Sequence, residues 1–561
     1  MSVVVLEAKG RPGGALWSDE RTLPGFLHDV GAAFFPFGSV SPALVPLALE
    51  VDWRHATYES AHPAPDGSCA AIARDLDRSM RAFGRDGERW RELHLWHAKS
   101  RDTLLPALLG ALPPPLSVAL AVSLDDALTF ASLALASGRS FASRFETEAA
   151  RRVVPGLGLH ADVGPDDPLG AAVGLMLALL ASSAGFPVPV GGARALTNAI
   201  LTRMSSYGAS LRTDAHVDRI VVRGGRAIAV ETSSGEIVEA RRAIVADVGA
   251  PALYLDLLDE AHVPWTLRRA MRRYPYAWGT FKVDWALAGP VPWNDPICRA
   301  SAVVHLGDSI DDLARFTAEV RAGGLPSNPY LVLGQQSLLD ETRAPAGQHT
   351  LYAYTHVPSR LAEGWDDARE RFADAIEQRI EAQAPGFRAL VRGRSIAAPP
   401  DLEAMDENLV GGDLGGGTAA ITNQLVLRPA FPWSGHRTPV RGLYLGSAFT
   451  HPGTGVHGMC GFLAAKQALR DALRVASEYR LTLTGDGCYN FVRRSSCKRH
   501  IEPPAASRTR SSAPPLRARW RKAVRAWSRP GAEPFAPRFR APSSRPPPRL
   551  PAFHDRPKPG G

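Results

Sequence analysis

Cysteine is scarce in this sequence, and no cysteine pair has the spacing of a metal site. The five cysteines among 561 residues lie at positions 69, 298, 460, 488 and 497, and none forms a C-x-x-C motif. This pattern argues against a disulfide scaffold and predicts no bound metal. It suits a reducing compartment, which is the cytoplasm, or the mitochondrial matrix if the source is eukaryotic.

The sequence also lacks a recognisable leader and a convincing bilayer-spanning run. The opening MSVVVLEAKG has neither the basic segment nor the apolar core of a secretory signal. The uncharged run over residues 169–190 has the length of a span, but it follows Asp166-Asp167-Pro168 and breaks at the GFPVP of residues 185–189. We therefore predict a buried helix of about 16 residues beside an apolar pocket.

Acidic residues are scarce in one segment only, the stretch after Arg480. Residues 481–561 contain 18 basic residues, 4 acidic residues and 14 of the 47 prolines, whereas the whole chain carries a formal net charge of +9. The preceding 480 residues are therefore mildly acidic. A Pro/Arg-rich segment without apolar periodicity cannot bury a core, so we predict a disordered tail that folding does not require. We favour an extension without a role over a nucleic-acid or membrane-surface arm, and nucleic acid is disfavoured as a partner.

Strand-like and helix-like patterns alternate along the rest of the chain. Residues 3–6 predict a buried strand, residues 195–204 a helix, and residues 215–246 a β-meander whose last strand covers residues 237–246. Residues 330–333 and 349–354 predict strands, and residues 366–382 predict an amphipathic helix. Leu443–Leu445 predicts a further buried strand, followed by a glycine-rich loop and a last helix that begins near Met459.

A glycine-rich turn follows the first of these strands. Glu7 ends the strand, and the turn Gly10-Arg11-Pro12-Gly13-Gly14 comes next. A dinucleotide-binding fold normally supplies a strand, a G-x-G-x-x-G turn at a helix N-terminus, and an acidic residue about 20 residues later that binds the ribose hydroxyls. Only the acidic part is present here, so we expect that a strand-turn-helix segment belongs before Met1.

These motifs resemble the start of phytoene-desaturase-like and amine-oxidase-like flavoproteins, together with the GFLHDVG of residues 25–31. In the C-terminal half, the resemblance continues through residues 408–417, Gln424, Arg428-Pro429 and residues 442–458. That half is similar to the branch that includes pyridine nucleotide-disulfide oxidoreductase domain-containing protein 2. The resemblance covers residues 3 to about 475.

The resemblance implies an FAD cofactor. It assigns the acid to the ribose hydroxyls, the Arg-x-Gly-Gly backbone to the phosphates and ribityl chain, a valine of the meander to the adenine, and the last glycine-rich loop to the pyrimidine edge of the flavin. That edge becomes negative when the ring accepts a hydride, and a helix N-terminus stabilises negative charge. For the histidine of that loop we favour capping or packing over catalysis. The predicted cofactor-binding residues are Glu7, Arg11, Gly13, Gly14, Val217, Gly446, Gly453, Gly455, Val456 and His457.

The implied fold is α/β, with an FAD-binding Rossmann-like domain, lacking its first strand-turn-helix, interleaved with an α+β substrate domain. We expect the FAD-binding domain at residues 1–70, 191–254 and 401–480. The substrate domain is expected at residues 71–190, which are helical, and at residues 255–400. The predicted disordered tail covers residues 481–561.

The implied function is an FAD-dependent dehydrogenase or desaturase that takes a hydride from a hydrophobic small-molecule substrate. The electron acceptor stays open between oxygen, a quinone and another carrier, and such a substrate is compatible with peripheral membrane contact. No Ser/His/Asp order, carboxylate pair or P-loop lysine is recognisable, so we assign no catalytic residue; hydride transfer to a flavin needs little further protein chemistry. The alternative is a non-catalytic relative acting through protein interaction. The absent phosphate turn motivates this alternative. Under either interpretation, we predict that the chain as given binds FAD weakly or not at all, and that a relative's strand-turn-helix placed before it restores binding.

Overall fold

The predicted N-terminal strand is present in the computed structural model, which describes residues 2–483 and 489–493. The prediction that this strand is buried was wrong: Val4 and Val5 are exposed, and among the described residues the strand pairs only with Ser210–Arg212. In chain order the strands are β1 (Val4–Leu6), β2 (Ser18–Glu20), β3 (Leu27–Asp29), β4 (Trp53–Arg54), β5 (Tyr58–Pro63), β6 (Cys69–Ile72), β7 (Val188–Pro189), β8 (Ser210–Arg212), β9 (Val217–Arg223), β10 (Arg226–Thr232), β11 (Ile237–Glu239), β12 (Ile244–Ala246), β13 (Gly279–Leu287), β14 (Ser301–Leu306), β15 (Leu331–Gly334), β16 (His349–Val357), β17 (Val391–Ala397), β18 (Leu443–Leu445), β19 (Tyr479–Leu483) and β20 (Tyr489–Arg493).

Helices connect most of these strands. The α-helices of the described residues are α1 (Leu76–Phe83), α2 (Gly87–Leu109), α3 (Leu116–Ala119), α4 (Leu124–Ala134), α5 (Gly138–Ala142), α6 (Glu148–Arg151), α7 (Val153–Gly158), α8 (Ala171–Ser183), α9 (Ala193–Ser206), α10 (Ala250–Leu255), α11 (Trp265–Met271), α12 (Pro296–Arg299), α13 (Ile310–Arg321), α14 (Trp365–Gln383), α15 (Phe387–Leu390), α16 (Pro399–Met405) and α17 (Met459–Glu478).

A seven-stranded sheet forms the largest layer, with the strand order β17-β13-β16-β15-β14-β5-β6. Its neighbours run antiparallel except β5 and β14, which are parallel. Side chains alternate between the two faces of a strand. In β13 the residues Phe281, Val283 and Trp285 join the apolar cluster that contains α14. The alternate residues Lys282 and Asp284 are also buried, so the second face of this sheet is polar and enclosed.

Two pairs of parallel strands form separate small sheets. β1 pairs with β8, with Val4 opposite Ser210, and β12 pairs with β18, with Ile244 opposite Leu443. The predicted strand Leu443–Leu445 has the observed bounds. Parallel strands place their carboxyl ends at one edge, which is where open α/β sheets bind ligands. The two pairs therefore present two candidate edges for a site.

The predicted β-meander is confirmed in its first strands and corrected in its last. β9, β10 and β11 form an antiparallel sheet, but the strand predicted over residues 237–246 is two strands, β11 and β12. The chain leaves the meander at Arg241 and Arg242, which are exposed. β12 then pairs in parallel with β18 rather than with the meander. The local sequence does not reveal this partner, because β18 lies far away along the chain.

The uncharged run over residues 169–190 folds as the predicted buried helix, α8. It packs closely on α7, since a Cβ atom added to Gly174 would lie 1.9 Å from the carbonyl oxygen of Val154. None of the helices in the described part of the chain combines the length and hydropathy that a bilayer-spanning segment requires. The close packing of α8 on α7 requires glycine at position 174, because a side chain there would overlap the Val154 carbonyl.

The division into FAD-binding and substrate domains stays a prediction. The expected boundary at residue 70 falls inside the hairpin of β5 and β6, which belongs to the seven-stranded sheet. Residues 1–493 form one compact unit. The chain continues past Arg480 into the hairpin of β19 and β20, and residues 494–561 of the expected tail lie outside the described residues.

Candidate functional site

Glu7 lies at the carboxyl end of the first parallel pair. Its backbone N–H donates to the carbonyl of Arg212, 2.9 Å away, and its carbonyl accepts from the N–H of Ala215 at 2.9 Å. The carboxylate accepts from the backbone N–H of Lys9 at 2.9 Å and is half-buried. The strand end therefore fixes the backbone of Glu7 while part of its side chain stays open to solvent.

The predicted turn after Glu7 requires glycine at two positions. Gly13 has φ +109° and Gly14 has φ +52°, in the region that side chains disfavour. A Cβ atom at Gly13 would lie 2.9 Å from the Leu16 carbonyl oxygen, and one at Gly14 would lie 2.8 Å from Oδ2 of Asp406. The guanidinium of Arg11 donates to the Gly14 carbonyl at 3.3 Å. This turn is thus a rigid, close-packed backbone segment.

The second parallel pair ends at Asp247 and Gly446. The Gly446 N–H donates to the Ala246 carbonyl at 2.8 Å, and a Cβ atom there would lie 2.9 Å from Cγ1 of Val245. The side chain of Asp247 is exposed to solvent at this strand end. Desolvation by the surrounding protein, with the nearby carboxylates of Asp406 and Glu7, raises the pKa of Asp247 to about 6. The ends of both pairs therefore share one acidic cleft.

An Asp247→Asn variant is expected to become more stable than the unsubstituted protein as the pH rises. The raised pKa means that the folded protein holds a proton which the unfolded chain releases between its ordinary value of 3.8 and about 6. Stability is therefore lost as the pH rises through this window, and the asparagine removes that loss. We expect a small rise in the thermal midpoint at pH 8 that vanishes at pH 4. Asp102→Asn, which removes a 90% exposed carboxylate, is the control; equal shifts in both variants would contradict the account.

The predicted loop before the last helix combines unusual backbone angles with solvent access. Gly453 has φ +95° and Gly455 has φ +130°, and Gly455 is exposed. A Cβ atom at Gly455 would lie 3.3 Å from Cε2 of Phe37. Val456 belongs to the same apolar cluster as Leu16, which follows the glycine turn. The structure thus connects the N-terminal turn with the C-terminal loop.

His457 caps the last helix. Its Nδ1 accepts from the backbone N–H of Met459 at 3.0 Å, and its carbonyl accepts from the Ser41 hydroxyl at 2.5 Å. The imidazole is buried and meets Phe37 edge-on, with ring centroids 5.6 Å apart. Burial lowers the pKa of His457 to about 4. These contacts suit the packing and capping role that we favoured over catalysis.

Val217 stands apart from that loop. It is the first residue of β9, half-buried, and opposite Thr232 in the meander. The backbone of Ala215, two residues earlier, bonds to Glu7. Val217 therefore lies near the end of the first parallel pair, and its role toward the adenine stays a prediction.

A buried arginine and a buried aspartate fix the loop at residues 413–417. Arg428 donates to the carbonyls of Ala448 at 2.9 Å and of Gly415 and Gly416 at 2.7 Å each. Asp413 accepts from the backbone N–H groups of Gly415, Gly417 and Ala277 at 2.6, 2.7 and 3.0 Å. This explains the Gly-Gly-Asp and Arg-Pro motifs as the frame that holds two loops together.

A small cavity lies where these loops meet the seven-stranded sheet. Its volume is about 40 Å³. The hydroxyl of Thr454 in the glycine loop donates to the Gly415 carbonyl at 2.8 Å, which closes one wall. The lining residues include His160, Asp162, Trp278, His356, Asp413 and Thr454. The cavity therefore joins the predicted cofactor loop to polar side chains that the sequence did not single out.

A continuous chain of hydrogen bonds runs from this cavity into the sheet. Tyr354 Oη lies 2.9 Å from His160 Nδ1, and His160 Nε2 lies 2.8 Å from His305 Nε2. Ser60 Oγ then lies 3.2 Å from His305 Nδ1 and 2.9 Å from His62 Nε2. Each of the three inner groups, His160, His305 and Ser60, can donate to one neighbour and accept from the other, in either direction. Such a chain can reverse its polarity without breaking a hydrogen bond.

Burial keeps these imidazoles neutral. It lowers the pKa of His160 to about 3 and the pKa of His62 and His305 well below 6.5. The pKa of His356 is lowered for the same reason. His356 is buried, and among the described residues neither of its ring nitrogens has a hydrogen-bond partner. A neutral imidazole with an unused nitrogen in a cavity can accept a proton.

Sequence reasoning missed these histidines because they come from distant segments. His160 follows α7, His305 lies on β14 and His356 on β16. One signal was available: Tyr352, Tyr354 and His356 alternate along β16, of which residues 349–354 were predicted as a strand, and this alternation marks one polar face. Nothing in the local sequence indicates that this face is enclosed.

Comparison with protein families decides the class. The family model described as flavin containing amine oxidoreductase matches residues 1–468. The chain belongs to this family. The predicted family and its flavin cofactor are thereby confirmed.

The curated relatives of this chain include two kinds of protein. Pyridine nucleotide-disulfide oxidoreductase domain-containing protein 2 of Rattus norvegicus is 33% identical over 296 residues, which are 50% of each chain. The neurosporene-forming phytoene desaturase of Cereibacter sphaeroides is 26% identical over 300 residues, 51% of this chain and 54% of the relative. The chain spans about half the length of the curated relatives it matches.

A solved structure supports the fold of this chain. An oxidoreductase from Methanosarcina mazei superposes with a TM-score of 0.52, covering 84% of this chain and 94% of that chain, at 15% identity. At this identity the similarity shows the fold alone. The predicted α/β fold class is thus confirmed, while the missing first strand-turn-helix stays a prediction.

Proposed function

We propose that this protein is an FAD-dependent oxidoreductase, a dehydrogenase or desaturase, that takes a hydride from a hydrophobic substrate. The observation that carries the proposal is the family match across residues 1–468. The phytoene desaturases among the relatives support an apolar substrate. The electron acceptor, whether oxygen, a quinone or another carrier, and peripheral membrane contact belong to this proposal, as does a reducing compartment.

FAD fits the residues that line the acidic cleft and the glycine loop. The test of fit is the backbone: neighbouring protein atoms exclude side chains at Gly13 and Gly14, and Gly455 is exposed beside Phe37. We assign Glu7 to the ribose hydroxyls, and Arg11, Gly13 and Gly14 to the phosphates and ribityl chain. Val217 is assigned to the adenine. The flavin ring is assigned to the backbone of Gly446, Gly453, Gly455, Val456 and His457, at the N-terminus of α17.

Bound FAD would supply the hydride acceptor, so the protein needs to orient the substrate, exclude water and receive one proton. We assign proton acceptance to His356, whose ring nitrogens are free in the cavity. Trp278 and Leu414 supply apolar surface in the same cavity. His160 is held by Tyr354 and His305, so the second imidazole of the cavity keeps a fixed position beside the reacting bond.

Anaerobic reduction of the loaded protein tests this function. The full-length chain is saturated with FAD and mixed with a polyene hydrocarbon in detergent, or with a primary amine. We expect the polyene to bleach the flavin absorbance and His356→Phe to keep its flavin while losing the bleaching. If only the amine bleaches the flavin, the substrate class is amines rather than apolar hydrocarbons. A folded protein that binds no FAD would support the alternative of a non-catalytic interaction protein.

A further inference from the structure

Two cysteines and an aspartate that are distant in sequence converge at the edge of the seven-stranded sheet. The Sγ atoms of Cys69 and Cys298 and a carboxylate oxygen of Asp295 all lie within 4.8 Å of one another. We propose that these three side chains form a binding site for a thiophilic divalent cation of the zinc type. The site is separate from the proposed flavin site and does not depend on it.

The fold fixes the position of all three donors. Cys69 begins β6 and pairs with Pro63 on β5. Asp295 and Cys298 are three residues apart around α12, and residues at this spacing share a helix face. Cys298 is 1% exposed and Cys69 is half-buried. The sequence predicted no metal because it contains no C-x-x-C pair, but a D-x-x-C pair on one element is completed here by a thiol from another.

The donor set and its spacing match the chemistry of zinc. Zinc binds thiolate sulfur at about 2.3 Å and carboxylate oxygen at about 2.0–2.2 Å, usually as a tetrahedron. Ligand atoms of such a tetrahedron are about 3.5–3.8 Å apart. The observed limit of 4.8 Å therefore requires shifts of about 1 Å or less at each donor. Two soft thiolates favour zinc over magnesium or calcium.

A fourth ligand can come from solvent. A cavity of about 320 Å³ is lined by Asp295 and Cys298, by residues 63–65 and 67–68 of the neighbouring hairpin, and by Gln383. Three protein ligands next to an open cavity are the arrangement of zinc sites that keep one exchangeable position. The site is thus suited to bind a small anionic or neutral ligand through the metal.

A buried arginine next to Cys69 supplies compensating positive charge. Arg152 is 2% exposed and donates to the carbonyls of Gly307, His62 and Pro63. Among the described residues, no carboxylate oxygen lies within 4 Å of its guanidinium. Burial lowers the pKa of Arg152, and the charges of Glu148 and then Cys69 act in the opposite direction. A buried cation without a close counter-ion is costly, and a thiolate pair at Cys69 and Cys298 reduces that cost.

Asp295 also has a structural role, which the test has to separate from metal binding. Its Oδ1 caps α12 by accepting from the backbone N–H of Ile297 at 2.7 Å. Asparagine caps a helix N-terminus about as well as aspartate. Asp295→Asn therefore keeps the cap and removes the negative charge that a cation requires.

Cobalt titration of the full-length protein tests the proposal. The protein is reduced, stripped with a chelator and titrated with Co²⁺, a spectroscopic substitute for zinc. We expect one equivalent to produce sulfur-to-cobalt charge-transfer absorption and tetrahedral ligand-field bands, both abolished by Zn²⁺. Cys69→Ser and Cys298→Ser are each expected to weaken binding about 100-fold, and Asp295→Asn about tenfold, on the scale of ligand-shell mutations. Cys460→Ser, at a buried thiol bonded to Thr450, should leave the titration unchanged.

Three results would overturn the proposal. The first is the absence of a charge-transfer band in the reduced protein, and the second is an unaltered band in Cys69→Ser. The third is a Cys69–Cys298 disulfide in the oxidised protein together with no cobalt binding after reduction. If the buried Cys298→Ser variant does not fold, the half-buried Cys69→Ser variant and Asp295→Asn carry the test.

Discussion

A valine at position 455 is expected to lower flavin affinity about tenfold to a hundredfold while the protein stays folded. Gly455 has φ +130°, and a Cβ atom there would already lie 3.1 Å from Cδ2 of His457 and 3.3 Å from Phe37. A β-branched side chain would have to extend into the space that we assign to the flavin edge. The magnitude corresponds to about 1–3 kcal/mol of strain and lost contact. The measurement is flavin bound per folded chain in an FAD titration.

Two further variants separate cofactor loss from backbone strain. Gly435→Val imposes the same kind of backbone penalty, since Gly435 has φ +85°, but no atom lies within 4 Å of its added Cβ. It should bind FAD as the parent protein does. His457→Gln should also retain flavin, because the capping bond to Met459 can be replaced by an amide oxygen. Full flavin occupancy in Gly455→Val would move this loop away from the cofactor.

Replacing Arg343 by methionine is expected to destabilise the fold by about 3–5 kcal/mol. Arg343 is fully buried and donates to Asp29 at 2.9 Å and to Asp340 at 2.8 Å. Asp29 in turn accepts from the hydroxyl of Ser18 at 2.7 Å and from the N–H of Ala193 at 2.8 Å. Methionine keeps most of the volume but leaves two buried carboxylates without their shared cation, which is why the cost is large. The shift is measured by chemical denaturation.

Arg54→Met is the matched control for this loss. Arg54 also pairs with an aspartate, Asp52, at 2.7 Å, but both side chains are more than half exposed. Exposed pairs of this kind contribute about 0–1 kcal/mol. If Arg343→Met and Arg54→Met shift the denaturation midpoint equally, the buried pairs of Arg343 with Asp29 and Asp340 do not stabilise the fold as expected.

The local sequence pattern was sufficient to predict elements that an apolar run and flanking turn residues define. The strand Leu443–Leu445 and the buried helix α8 appear where apolar runs and turn residues placed them, whereas the strand at residues 3–6 forms as predicted but is exposed. Their sequences carry the physical cause of their structure, because burial demands an apolar run and glycine or proline ends it. The family resemblance rested on glycine turns, because a glycine turn is also specified by its local sequence.

Long-range pairing could not be predicted from the same information. The strand expected over residues 237–246 divides because β12 pairs with β18, about 200 residues later. His160, His305 and Tyr354 meet through the order of strands in the seven-stranded sheet, which no local period encodes. Cys69 and Cys298 converge through the same sheet edge. Such sites depend on the order in which distant strands pair. That order is set by contacts across the whole chain and cannot be read from a local pattern.

FAD titration of the purified chain, prefixed by a relative's strand-turn-helix segment, tests the central claim most directly. The account predicts saturable binding of one FAD per folded chain, with a shifted flavin absorbance spectrum and release of unmodified FAD on denaturation. Circular dichroism on the same sample establishes that the chain is folded. A folded chain that leaves the FAD spectrum unchanged up to high ligand excess would contradict the proposed cofactor site and the oxidoreductase function together.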